Sequence, residues 1–220
     1  MIEAGSETTS SSLNSAIKYL AAYPEAYCKA HEEISRIVGD DRSPTFDDED
    51  NLPYIQATVK EVLRLRPVTS AGQPHYTTED ITYQNYLIPK DTVVAICQYA
   101  AHYDSRYEEP KSFRPERYLD HPLKAEASSA HPDPYMRDRF SFSAGRRIYP
   151  GLHLAENSMF IVLAKILWAF EIRPVVGADG KEETVDVSDQ AYEEGMNTIP
   201  KPLRMRFLPR NPARQAKLQQ

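Results

Sequence analysis

Residues 140–151 read F-S-F-S-A-G-R-R-I-Y-P-G, an aromatic run followed by small residues, two arginines and a Pro-Gly pair. Gly145 allows a tight turn there, because a residue without a Cβ tolerates a positive φ angle. Arg146 and Arg147 place two permanent charges beside the turn, and guanidinium groups bind carboxylates or phosphates in a bidentate manner. The apolar-rich segment Leu152–Trp168 predicts a helix. We interpret residues 140–151, the basic loop, either as an anion-binding turn at a helix N-terminus or as a solvated loop before a core helix.

The length, charge and cysteine content restrict the class of protein. The chain has 220 residues and a formal net charge of −6, so it can bury a sizeable core, and its charge does not favour nucleic-acid binding. Cys28 and Cys97 form neither a disulfide framework nor a zinc-binding pattern, which favours a reducing compartment. The sequence shows no apolar run near bilayer-spanning length and no signal-peptide pattern at Met1. We therefore predict an intracellular protein with no nucleic-acid partner and no membrane span in this chain.

Residue patterns predict several helices, short strands and a polar tail. The clearest amphipathic helix is Asn51–Arg66, with Asn51 as its cap. Residues 93–96 have the composition of a buried strand, and residues 185–199 and 203–208 are predicted to form a terminal hairpin. Residues 210–220 are predicted to be a polar, disordered tail.

One charged pair stands out in the predicted helix 51–66. Glu61 and Arg64 are three residues apart, so their side chains meet on one helix face. Their apolar neighbours favour burial, and a buried ion pair needs further partners to offset the cost of desolvation. Arg117, in the segment F-R-P-E-R-Y, is the candidate third partner.

The basic loop resembles the haem-binding loop of cytochrome P450 monooxygenases, whose pattern is F-[GS]-x-G-x-R-x-C-x-G. The matching positions are Phe142, Ser143, Gly145, Arg147 and Gly151. The resemblance implies a haem cofactor with Phe142, Gly145 and Arg147 in its binding site. Tyr149 stands at the position of the axial cysteine ligand.

Three further motifs resemble segments of the same family. The stretch A-G-S-E-T-T at residues 4–9 is similar to the oxygen-activation segment, which implies that Glu7 and Thr8 form the acid–alcohol pair that relays protons. The alternative is a polar N-terminus whose Ser and Thr side chains act as helix caps. Glu61, Arg64 and Arg117 resemble the structural Glu–Arg–Arg network of the family. His75 matches a residue that contacts a haem propionate, and its alternative role is that of a polar residue at a strand end.

The motifs occur in the family's order along nearly the whole chain. The resemblance implies a mainly α fold with small β-sheets (α+β), corresponding to the C-terminal half of the cytochrome P450 fold. On this interpretation the chain is truncated at the central oxygen-activation helix, and residues 1–209 form a partial haem domain. The short segments I-P-K-D-T, F-R-P-E-R-Y and W-A-F-E-I resemble those of cytochrome P450 members from fungal secondary metabolism. Family members are anchored to the endoplasmic reticulum, and we expect that anchor to be absent here.

Tyr149 raises the question of activity. A thiolate ligand donates electron density to haem iron and favours O–O cleavage, whereas tyrosinate ligates haem in catalases. A free phenol titrates at about 10, so ligation must drive its deprotonation. We hypothesise that the chain does not hydroxylate substrates.

Three functions remain open from the sequence. The first is a monooxygenase by descent, which uses an NADPH-dependent flavoprotein reductase and oxidises a lipophilic small molecule. The second is a non-catalytic remnant. The third is a haem-binding or reductase-docking module that uses the basic face at Arg146 and Arg147.

Overall fold

The computed structural model describes residues 2–121, 123–133, 137 and 140–217. The helices in these ranges are α1 (Ile2–Ala22), α2 (Pro24–Val38), α3 (Pro53–Leu65), α4 (Gln98–His102), α5 (Ala125–Ser129), α6 (Leu152–Ala169) and α7 (Pro212–Lys217). Short 3-10 helices lie in the connecting segments. Two of them are inside the basic loop, at Phe140–Phe142 and Gly145–Arg147.

The described strands pair into three small antiparallel sheets. The strands are β1 (His75–Tyr76), β2 (Ile81–Tyr83), β3 (Tyr86–Ile88), β4 (Val93–Val94), β5 (Phe170–Pro174) and β6 (Met205–Pro209). Strand β1 pairs with β4, β2 with β3, and β5 with β6. The prediction of a mainly α fold with small β-sheets is confirmed.

Helices α1, α2, α3 and α6 enclose the hydrophobic core. Leu163, Leu167 and Trp168 of α6 are fully buried at its centre. Among the described helices, α6 is the one long and apolar enough to cross a membrane by length and composition, whereas the sequence analysis found no apolar run near bilayer-spanning length. Because these α6 side chains pack against the other helices, we assign α6 as the core helix of this fold.

The start of α3 is capped by a side chain from another helix. The Glu33 carboxylate of α2 accepts hydrogen bonds from the backbone N–H groups of Tyr54 (2.9 Å) and Ile55 (3.1 Å). Asn51 lies one residue before the Leu52 cap, within a 3-10 helix, so its predicted capping role is wrong. The carboxylate satisfies N–H groups that a helix start leaves unpaired, and its charge suits the positive end of the helix dipole.

Two predictions about strands are wrong. Strand β6 pairs with β5, with Ile172 opposite Phe207, instead of closing a terminal hairpin with residues 185–199. The buried Ile172 side chain anchors β5 against the core, so β5 offers β6 a fixed edge. Val93 and Val94 are exposed, as are the apolar residues Tyr86 and Leu87 of the neighbouring β2–β3 hairpin.

The C-terminal segment closes over the end of α6. Arg214 of α7 is buried and donates to the Trp168 carbonyl (2.7 Å) and to Asp40, while Arg210 donates to the Leu167 carbonyl (3.1 Å). The structure therefore differs from the predicted disorder over residues 212–217, because these arginines bind carbonyls that the helix end leaves unpaired. Residues 218–220 lie outside the described residues.

We predict that Arg214→Ala lowers the free energy of unfolding by about 1–3 kcal/mol, because it leaves the buried Trp168 carbonyl without this donor. Urea denaturation measures the change. Arg204→Ala is the matched control, since Arg204 pairs with Glu183 at the exposed surface and should change stability by less than about 0.5 kcal/mol. Equal effects of the two substitutions would contradict the role assigned to Arg214.

Candidate functional site

A cavity of about 490 Å³, the central cavity, lies between α1, the basic loop and α6. Its volume falls within the range of roughly 300–1,000 Å³ that is common for cofactor and ligand sites. Helix α1 contributes Thr8 and Ser12, which are four residues apart and so share one helix face. Helix α6 contributes Ala155 and Met159 at the same spacing. Two helix faces and one loop thus enclose a mostly apolar space.

Tight turns shape the basic loop. Ser143 and Gly145 both have positive φ angles, of 68° and 71°. The Ser143 N–H donates to the Phe140 carbonyl (2.9 Å), and the Tyr149 N–H donates back to the Phe142 carbonyl (2.9 Å). A positive φ at a non-glycine residue is uncommon and costs free energy, so the surrounding contacts hold Ser143 in place.

The basic loop is attached to two helices. The Ser141 hydroxyl donates to the Leu63 carbonyl of α3 (2.9 Å). The Phe140 N–H donates to Nε2 of His102, the last residue of α4 (3.2 Å). The loop is therefore fixed at its entry to the helices beneath it.

One end of the site is cationic. His75 and Arg147 line the central cavity and also a second cavity of about 660 Å³, which Arg146 borders as well. Neither arginine has an ion-pair partner among the residues that the structure describes. These three side chains are therefore available to an anionic group at this end of the site.

The Tyr149 side chain lies against the loop itself. Its ring stacks on Phe142, with centroids 6.3 Å apart and planes 11° apart, and 41% of the residue is exposed. A Cβ atom at Gly151 would come within 2.7 Å of the tyrosine ring. Glycine at position 151 is therefore required for this position of the ring.

The residues Glu61, Arg64 and Arg117, the Glu61 network, form one buried ion-pair cluster. Arg64 contacts both carboxylate oxygens of Glu61 (2.7 and 2.8 Å), and Nε of Arg117 lies 3.0 Å from Oε1. Glu61 and Arg64 are essentially inaccessible to solvent. Burial alone would lower the pKa of Arg64, but the hydrogen bond and charge of Glu61 outweigh it and raise that pKa.

The same network reaches the loop that follows α4. Arg64 also donates to the carbonyls of His102 (2.8 Å) and Pro110 (2.7 Å), and Arg117 donates to the Glu108 carbonyl (2.9 Å). These bonds satisfy further donors of both guanidinium groups and offset the desolvation of the charges. The Glu61 network thus fixes the end of α4 and the loop that follows it. Its three residues are not among those that line the central cavity.

The structure brings together most of the site residues predicted from the sequence. Those that line the central cavity are Thr8, His75, Phe142, Arg147 and Tyr149. Glu7 is exposed and lies outside the described lining, and Gly145 shapes the turn without lining the cavity. Sequence reasoning missed Ser12, Met159 and Gln98. Helical spacing from Thr8 pointed to Ser12, whereas nothing local pointed to Gln98.

These features define the class of protein: a mainly helical fold with a cofactor-sized cavity between a long helix and a cationic loop. The chain belongs to the cytochrome P450 family, since the profile described as "Cytochrome P450" matches residues 1–193.

Curated relatives support the same family. The chain is 53% identical over 210 residues to the cytochrome P450 monooxygenase pgmC of Aspergillus terreus, covering 95% of this chain and 39% of that protein. It is 47% identical over 182 residues to verL of Clonostachys rogersoniana, covering 82% and 34%. It is 42% identical over 218 residues to polD of Polytolypa hystricis, covering 97% and 40%. The chain therefore spans about two fifths or less of the length of these relatives.

Solved structures agree with this assignment. A zebrafish cytochrome P450 determined with progesterone superposes with a TM-score of 0.80 at 28% identity, covering 94% of this chain and 44% of that one. A second zebrafish structure, with abiraterone, has a TM-score of 0.77 at 27% identity, covering 93% and 44%.

Family membership implies a haem-iron cofactor, and the site can be tested against it. The central cavity has a cofactor-sized volume, and Arg147 supplies a cationic group and His75 a ring nitrogen of the kind that bind carboxylates. Tyr149 supplies a phenolic oxygen, which is a known haem ligand type, whereas a thiolate is not among the described lining residues. The volume of the cavity and its cationic end suit a haem with its carboxylates, and Tyr149 stands among the lining residues as an oxygen donor.

We predict that Glu61→Gln lowers the free energy of unfolding by about 3–5 kcal/mol, because it leaves the buried Arg64 and the partly buried Arg117 without their carboxylate. Chemical denaturation of the purified chain measures the change. Glu108→Gln is the control, since Glu108 pairs with Arg114 at the exposed surface and exposed pairs contribute roughly 0–1 kcal/mol. A loss at Glu61 no larger than at Glu108 would contradict the proposed support by the network.

We predict that stability falls on acidification below about pH 6.5. Burial, followed by the charges of Arg64 and Arg106, lowers the pKa of His102 to about 3. Burial, followed by Arg210 and Arg214, lowers the pKa of His31 to about 4. Between these values and about 6.5 the unfolded chain binds more protons than the folded chain, so stability rises with pH, by at most about 1.4 kcal/mol per pH unit for each histidine.

Urea denaturation at a series of pH values between 4 and 8 measures this dependence. His31→Leu is expected to remove the contribution of His31 and to flatten the profile in part. A profile that is flat in the unsubstituted chain would contradict the burial of neutral histidines.

Proposed function

We propose that this chain forms the haem-binding part of a cytochrome P450 monooxygenase-related protein of fungal secondary metabolism, and that the chain as it stands does not hydroxylate substrates. The observation that carries the proposal is the central cavity, where α1, β1, the basic loop and α6 bring Thr8, His75, Arg147 and Met159 around one space. The fungal relatives named above support the assignment to secondary metabolism.

The residues around the cavity have distinct proposed roles. Arg147 and His75 would bind the propionate groups of haem, because both border the cationic end of the site. Phe142 is buried and, with Met159, provides the apolar contact that excludes water. Thr8 lines the cavity, where we assign its hydroxyl the role of holding a proton, while the exposed Glu7 carboxylate would supply protons from solvent.

The proposed loss of activity follows from Tyr149. Haem, when bound, supplies the iron that activates O2 with electrons from an NADPH-dependent flavoprotein reductase. In this family a thiolate supports that chemistry by electron donation. The phenol oxygen of Tyr149 is a harder donor on a longer side chain. Its ring is moreover held between Phe142 and Gly151.

The partners and location are also proposals. The proposed substrate class is a lipophilic small molecule, in keeping with membership of the cytochrome P450 family. We place the protein inside the cell, where the endoplasmic-reticulum-anchored members of the family act.

The exposed cations support a second candidate function. Arg146 and Arg147 are both exposed on the basic loop, so a haem-binding or reductase-docking module without its own turnover would retain a basic face. The remaining alternative is a non-catalytic remnant that binds no haem.

Haemin titration of the purified chain separates these functions. We expect a Soret band to appear on binding and the affinity to fall about tenfold in Arg147→Met, because one cationic partner of the propionates is removed. Arg204→Met is the matched control, since Arg204 is an exposed arginine of the C-terminal segment paired with Glu183. Absence of haemin uptake would leave the remnant as the remaining interpretation.

Carbon monoxide difference spectra test the role of Tyr149. We expect the reduced, haem-loaded chain to lack the red-shifted Soret band of a haem thiolate and Tyr149→Cys to gain it. Product formation by the unsubstituted chain, with reductase, NADPH and an organic substrate supplied, would contradict the proposed inactivity.

A further inference from the structure

His102 stands between the Glu61 network and the basic loop. It is the last residue of α4 and has 0% solvent exposure. Its ring atom Nε2 lies 3.2 Å from the backbone nitrogen of Phe140, the first residue of the basic loop. Because a backbone N–H group can only donate, Nε2 accepts this bond and carries no proton. The neutral ring therefore carries its proton on Nδ1.

The backbone of the same residue is bound to the network. The His102 carbonyl accepts a hydrogen bond from Nη1 of Arg64 (2.8 Å), and Arg64 is itself paired with Glu61. The ring also faces Phe140, with centroids 6.0 Å apart. One residue thus contacts the network through its main chain and the basic loop through its side chain.

The second ring nitrogen indicates why position 102 holds a histidine and not an apolar residue. Nδ1 of His102 is buried and has no hydrogen-bond partner within the part of the chain that the structure describes. An unpaired buried donor is destabilising, and an apolar residue of similar size would avoid it. A role in packing alone therefore does not account for histidine here, whereas the bond to the Phe140 N–H does.

The surroundings keep the His102 ring neutral, so that Nε2 can accept a hydrogen bond. The charged groups that act on the ring are Arg64 of α3 and Arg106, which follows α4. Together with burial they lower the pKa of His102 to about 3. The ring is therefore neutral, and Nε2 free to accept, at every pH above about 4.

We propose that His102 is the positioning residue that joins the Glu61 network to the entry of the basic loop and so sets the loop's place at the central cavity. The inference rests on the proposed function in one respect, namely that the central cavity is a haem site. The hydrogen bond and its effect on the loop are measurable in the chain without haem.

Two substitutions separate the acceptor from the packing. His102→Gln keeps an acceptor at about the reach of Nε2, and His102→Leu removes it while retaining an apolar side chain of comparable size. His31→Leu is the matched control, since His31 is a partly buried histidine of α2 whose pKa is also lowered.

Amide hydrogen exchange in the haem-free chain is the primary measurement. We expect His102→Leu to lower the protection of the Phe140 and Tyr149 amides at least about tenfold, and His102→Gln to restore most of it. His31→Leu should leave both amides unchanged relative to the global stability. Equal losses in His102→Gln and His102→Leu, or no loss in either, would overturn the proposal.

The ring tautomer provides a test that needs no substitution. In the ¹⁵N-labelled chain we expect the His102 proton on Nδ1, and a proton on Nε2 would overturn the proposal even if His102→Leu fails to fold. Haemin titration of the same variants then reports on the cavity, where we expect about tenfold weaker binding in His102→Leu alone. If no variant takes up haemin, the proposed function fails, while amide exchange and the tautomer still decide the role of His102.

Discussion

The carboxylate of Glu61 is fully buried, and two arginines and a backbone N–H group surround it. Arg64 contacts both of its oxygens, Arg117 contacts one, and the Arg114 N–H donates to the same oxygen (2.9 Å). A buried charge of this kind is tolerated only when its partners are all in place. Helix α3, the end of α4 and the segment that contains Arg117 must therefore be positioned together. The basic loop is built on these elements.

Local spacing explains what the sequence could predict. The three-residue separation of Glu61 and Arg64 placed them on one helix face, and the apolar stripe around them indicated burial, as the structure shows. The loop pattern around Gly145 indicated a tight turn beside cations, and the turn has the expected positive φ. The fold class and the family were likewise predicted, because the motifs depend on short stretches of residues.

Contacts between distant segments explain what the sequence could not predict. The α3 cap comes from Glu33 and the partner of β5 is β6, and neither pairing leaves a local pattern. The prediction that Val93 is buried was wrong for the same reason. A run of β-branched residues predicts a buried strand whether or not another layer covers it. The link from His102 to Phe140 spans 38 residues and joins a ring to a backbone group, which composition does not reveal.

The β2–β3 hairpin carries its apolar side chains on the outside. Tyr83, Tyr86 and Leu87 are all more than 60% exposed, and the described residues add no third strand to this sheet. Both outer edges of the hairpin thus present backbone donors and acceptors next to exposed apolar side chains. This combination favours the pairing of strands between molecules. Concentrated solutions of this chain should accordingly lose monomer first through cross-strand association at the hairpin, so the storage stability of the purified protein is governed by residues outside the lining of the central cavity.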